Sequence, residues 1–80
     1  MKITYFQDPG HGWIAVPLPT LTEWGITPSR YSYRDGATAY LEEDCDAGLF
    51  MRAAKDRGVS VELVESHSNG DSFIRSLPRF

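Results

Sequence analysis

A single cysteine, Cys45, excludes an internal disulfide and a thiolate cage around a metal ion, and agrees with a reducing compartment. Long apolar runs are equally scarce. The uncharged stretch from Gly10 to Thr22 contains two prolines and is too short and polar to span a bilayer, so no membrane partner is expected. Lys2 leads directly into an alternating strand pattern with no apolar h-region and no small-residue cleavage site, so cytoplasmic residence is expected. Phosphate loops are missing: Gly10-His11-Gly12 matches neither GxxxxGKS nor GxGxxG, and an apolar strand rather than a helix follows it. No His or Cys pair sits at CxxC or HxxxH spacing, so no catalytic residue, metal ligand or cofactor is assigned. An excess of basic residues is absent as well. The net charge of -3 and pI near 5.2 argue against phosphate-backbone binding, which draws affinity from Lys and Arg releasing counterions, and favour a basic partner.

What is present suits one small domain over residues 1–80. The apolar share of 41% and charged share of 24% are ordinary for a globular chain, and this length allows one core of marginal stability. Lys2 to Gln7 alternates, Asp8 to Gly12 supplies turn chemistry, and Trp13 to Val16 is apolar, which together predict a β-hairpin. Pro17 and Pro19 end its second strand. Thr20 can cap a short helical piece through Leu21 and Trp24 that Gly25 stops, and Ile26 to Arg30 is a loop. Asp35-Gly36, between Tyr31 to Arg34 and Ala37 to Leu41, signals a second hairpin. With those two residues as the turn, Tyr33 faces Thr38 and Tyr31 faces Tyr40. Tyr31, Tyr33, Thr38 and Tyr40 then share one face, and Ser32, Ala37 and Ala39 the other. The small face would admit a helix, while the aromatic face is either packed against the short helix or tail, or exposed as a platform.

The spacing of Ala47, Phe50, Met51 and Ala54, widened by Leu49 and Ala53, predicts a helix from Asp44 to about Arg57. Asp44 is its expected N-cap, Arg52, Lys55 and Arg57 load its C-terminal half, and Gly58 follows its end. Val59 to Val64 then reads as a β-branched strand, central or nearly so, with Val59, Val61 and Leu63 on one face. Glu65 to Ser72 is polar and turn-prone, and Phe73, Ile74, Leu77 and Phe80 allow the tail to dock. The expected fold is α+β: a small antiparallel sheet of four or five strands packed on one main helix.

The densest chemical signal is Glu42-Glu43-Asp44-Cys45-Asp46, four carboxylates within five residues with no basic partner among them. Glu42 and Asp46 at i, i+4 and Glu43 and Asp46 at i, i+3 would repel by about 0.2–0.5 kcal/mol a pair. A helix dipole returns about 0.3–1 kcal/mol per carboxylate near the first turn. Those magnitudes balance, so the cluster reads either as a solvated helix start or as an anionic patch imitating DNA phosphates. An oxygen-rich cation site lacks the spaced EF-hand pattern. Asp8, His11, His67 and Cys45 are the types that build metal or nucleophile sites. His11 between two glycines suits a turn, and the Cys45 thiolate would be disfavoured by its acidic neighbours. Tyr31, Tyr33 and Tyr40 could stack on single-stranded nucleic acid, a reading the acidic balance disfavours.

The set Asp8-Pro9-Gly10-His11-Gly12-Trp13, Tyr31-Ser32-Tyr33, Tyr40 through Ala47, Glu65-Ser66-His67-Ser68 and Ile74-Arg75 resembles a family of small uncharacterised proteins carried by bacteriophages and mobile elements. The resemblance covers most of the chain. It implies context: small acidic accessory proteins of phages and plasmids often inhibit host defence, and some anti-CRISPR proteins occupy the DNA path of a surveillance complex. The expectation is a non-enzymatic inhibitor in the host bacterial cytoplasm, monomeric or a small homo-oligomer. Glu42, Glu43, Asp44 and Asp46, with Tyr31, Tyr33 and Tyr40, would meet a basic nucleic-acid-binding host protein. The alternatives are a small metal- or ligand-dependent enzyme using Asp8, His11 and His67, or an aromatic-platform nucleic-acid binder.

Overall fold

A computed structural model describes all 80 residues. Turn chemistry at Asp8 to His11 folds β1 (Lys2–Gln7) onto β2 (Gly12–Pro17) as an antiparallel pair, with Phe6 opposite Trp13. Prolines end β2, and α1 (Leu18–Glu23) follows with Pro17 at its N-cap and no side-chain cap from Thr20. A second hairpin joins β3 (Tyr33–Asp35) to β4 (Thr38–Glu42). Gly36 takes a φ of 60° as the first of two central turn residues, a conformation that side chains resist and a hairpin turn needs. The turn therefore sits one residue later than the Asp35-Gly36 pattern suggests. Tyr33 pairs with Tyr40 and Asp35 with Thr38. Each partner moves by two positions, which keeps Tyr33, Thr38 and Tyr40 on one face and Ala39 on the other, while Tyr31 and Ser32 precede the strand and Ala37 falls in the turn.

Helix α2 (Asp46–Asp56) carries the chain from β4 to β5 (Glu62–His67), and the complete sheet runs β3-β4-β2-β1-β5. β5 pairs with β1 in parallel, so the sheet is mixed rather than wholly antiparallel. The antiparallel pairings of β4 with β2 and β2 with β1 make β4 parallel to β1 and β5. β4-α2-β5 is thus a split crossover with β2 and β1 between its strands. β5 also begins three residues later than expected and lies at the sheet edge with all six residues exposed, because α2 lands over the middle strands and stops short of it.

The two faces hold separate cores. Ile3, Ile14, Val16, Ala39 and Leu41 meet Ala47 and Phe50 of α2 and Leu21 of α1, and Trp24 stacks on Phe50 with ring centroids 5.1 Å apart. Ala39 is the small residue that admits the helix. On the opposite face Trp13 and Tyr33 meet Ile74, from a short 3-10 helix (Phe73–Ser76) in the tail. Phe6, Tyr40 and Phe73 form an edge-on triangle with centroid separations of 5.5 to 6.0 Å. The tail is stitched to β3 by the Arg34 N–H donating to Pro78 O and the Phe80 N–H donating to Ser32 O. No helix is long and apolar enough to cross a membrane.

Candidate functional site

Two loops meet at the carboxyl ends of β1 and β4, and a cleft of about 330 Å³ opens between them and the tail. The first loop is organised by Asp8, whose enclosed carboxylate accepts from the Gly10 and His11 N–H groups at 3.0 and 2.9 Å. Ser72 N–H donates to it at 3.0 Å, and Arg75 closes a bidentate pair through Nε at 2.6 Å and Nη2 at 2.9 Å. The Arg75 guanidinium, the Ser72 amide and the two turn amides together hold the Asp8 carboxyl far below the usual carboxylate range. Asp8 in turn raises the pKa of Arg75. The result is a rigid turn that presents the exposed His11 beside the cleft.

The second loop is the acidic segment between β4 and α2, and the structure divides its carboxylates. Glu42 is half-buried, Glu43 and Asp44 are exposed, and Asp46 is 1% exposed. Asp46 therefore does not belong to an acidic surface. Its Oδ2 accepts from Ser29 N–H at 2.8 Å, Ser29 O–H at 2.9 Å and the Ser32 hydroxyl, and Ser32 Oγ accepts from Glu42 N–H at 3.1 Å. Those bonds fix the loop that carries Tyr31. Asp44 is not the helix cap either: Cys45 occupies that position without a side-chain cap bond, and the Asp44 N–H donates to Glu42 Oε2 at 3.0 Å. Glu43 accepts from the Tyr5 hydroxyl at 2.6 Å. That bond, with burial and the charges of Glu43 and Glu65, raises the Tyr5 pKa. Gly12 permits the approach, since a Cβ there would lie 2.6 Å from the Tyr5 ring and 2.8 Å from Glu43 Oε2.

The tyrosines separate as well. Tyr31 is 53% exposed at the cleft, with the Arg30 guanidinium 5.4 Å from its ring centroid. Tyr33 is buried against Trp13 and the tail, and Tyr40 is half-buried between Phe6 and Phe73, where desolvation and the nearby Asp35 raise its pKa. The three-tyrosine platform is not exposed, because the tail lies across it. The set Asp8, His11 and His67 is not assembled: Asp8 is committed to Arg75, and His67 stands exposed at the end of β5, 3.5 Å from Glu65. Glu42, Asp44 and His11 do come together at the cleft, with Cys45 also on its wall.

Trp13, Arg75 and Arg79 complete the cleft; Trp13 and Arg75 stand within the strings that carry the resemblance, but sequence reasoning gave none of the three a role at a site. Arg75 lies 5.4 Å from the Trp13 ring centroid, and Arg79 lies 5.2 Å from that of Tyr33 while donating to its hydroxyl at 3.1 Å. The one sequence signal for part of this was Asp8-Pro9-Gly10, an Asx-turn pattern that marks Asp8 as an organiser of backbone N–H groups. Its pairing with Arg75 across 67 positions leaves no local trace. No protein-family model, curated protein or solved structure matches the chain.

Proposed function

We propose that the chain is a non-enzymatic binding protein whose acidic lip, Glu42, Glu43 and Asp44, docks on a basic surface that otherwise holds nucleic acid, as an anti-CRISPR or related anti-defence inhibitor would. One observation carries the reading: three successive carboxylates stand at the end of β4 and on the turn that follows it, with no cationic side chain within 4 Å of any of them. The guanidiniums nearest the cleft are engaged with Asp8 and Tyr33. Glu65, opposite Tyr5 on β5, extends the negative potential beside Glu43. Unpaired like charges raise the energy of the free protein and make a cationic partner favourable. Tyr31 offers aromatic contact area beside the lip.

The test is competition between this chain and DNA for a purified CRISPR surveillance complex. Neutralising the lip with Glu42→Gln, Glu43→Gln and Asp44→Asn should weaken binding by about tenfold or more and flatten its salt dependence, since exposed charge pairs are screened within a Debye length of about 8 Å at physiological salt. Circular dichroism should be unchanged. Equal affinity of variant and wild type removes the acidic lip as the binding surface.

A further inference from the structure

His11, Glu42 and Asp44 each present one ligand atom such that all three lie within 4.8 Å of one another. They are held by two braced loops, the Asp8 turn and the end of β4, which Glu43 N–H ties to Gly12 O at 3.0 Å. Ligands bound at about 2.0–2.2 Å in a tetrahedral set stand about 3.3–3.6 Å apart, so side-chain rotations that move the ligand atoms by about an ångström close the set. A second observation is independent of the carboxylates. Trp13 is 2% exposed, lines the same cleft with its ring centroid 6.1 Å from that of His11, and has a buried Nε1–H with no acceptor. A buried donor without an acceptor is costly unless something supplies an oxygen.

We infer that His11, Glu42 and Asp44 bind one divalent transition metal ion at the cleft, and that an oxygen ligand completing its coordination accepts from Trp13 Nε1. One imidazole with two carboxylates suits Zn²⁺ or Mn²⁺ better than Ca²⁺ and Mg²⁺, which prefer all-oxygen sites, or Cu⁺, which prefers sulfur. Cys45 stands on the cleft wall but outside the converging set. The open positions of the ion face the cleft, whose lining also includes the cationic Arg75 and Arg79. An oxyanion co-ligand matches that polarity.

Calorimetric titration of the full chain with ZnCl₂ and with MnCl₂ tests the site. The expected result is one ion per chain, with affinity reduced at least about tenfold by His11→Ala and by Asp44→Asn, since even indirect supports of a metal site cost about 10–100-fold when lost. Cys45→Ser should leave affinity unchanged, and the Co²⁺-loaded chain should show no thiolate charge-transfer band. His11 and Asp44 are exposed, so both variants should keep the wild-type circular dichroism spectrum. Absence of binding for both ions, affinity that survives His11→Ala, or affinity lost with Cys45→Ser would overturn the assignment. Because the titration uses the chain alone, its outcome is separate from partner capture: His11→Ala removes the metal site and leaves the three carboxylates of the lip in place.

Discussion

Asp8 accepts five hydrogen bonds, three of them from backbone N–H groups and two from one guanidinium. Its folded pKa lies far below the unfolded value of about 3.9, so its contribution to stability is fully present above that value and is lost as pH falls through the depressed folded one. The expected outcome is a stability difference between wild type and Asp8→Asn that is largest at neutral pH and shrinks progressively below about pH 4. Arg75→Gln should shrink the same difference by removing the main cause of the depression. Urea unfolding at several pH values measures both, and an Asp8→Asn difference independent of pH would remove the ion pair from the account. Asp46 shows the same lesson by a different route. It precedes Phe50 by four positions and Ala54 by eight, so helical periodicity already set it on the buried stripe, apart from Glu42, Glu43 and Asp44. Composition drew the eye to four carboxylates, while spacing held the information that one of them faces inward.

At the scale of elements, the tail and the second hairpin decide what the aromatic face can do. Ile74 is fully buried between Trp13 and Tyr33, so Ile74→Ala should cost about 2–5 kcal/mol by urea unfolding. Leu49→Ala, on the exposed flank of α2, should stay within about 0.5 kcal/mol. Equal effects would mean that the tail does not cover Trp13 in solution. The elements legible in the sequence were those with local signals: the β1-β2 hairpin, the apolar stripe of α2, the docking residues of the tail. Faces of the second hairpin were legible although its register was not, because side chains alternate with period two and the turn moved partners by two. The parallel pairing of β5 had only a partial signal: parallel strands need a crossover of a dozen or more residues, and α2 supplies one between β4 and β5. Its place beyond β1 depended on how far α2 carries the chain, which no local pattern encodes.

For the molecule as a whole, the sheet has a protected centre and one open side. β4, β2 and β1 are covered by α2 and α1 on one face and, across β2 and β4, by the tail on the other. β5 has a partner only in β1, and Leu63 and Val64, pointing to opposite faces, are 41% and 44% exposed. Local opening costs least where few apolar contacts must break, so amides of β5 should exchange with solvent deuterium well before those of β2 and β4. An edge strand with an unpaired backbone also invites pairing with another chain, and charged side chains such as Glu62 and Glu65 oppose that when two copies approach. Dilute native-state exchange separates these forces. Fast β5 exchange that does not change with protein concentration means that the charged edge keeps the chain monomeric. Protection of β5 that rises with concentration to the level of β2 means that the edge pairs between copies, and the acidic lip, at the other end of the same parallel crossover, would then be displayed twice on one particle, multiplying its attraction for a basic surface.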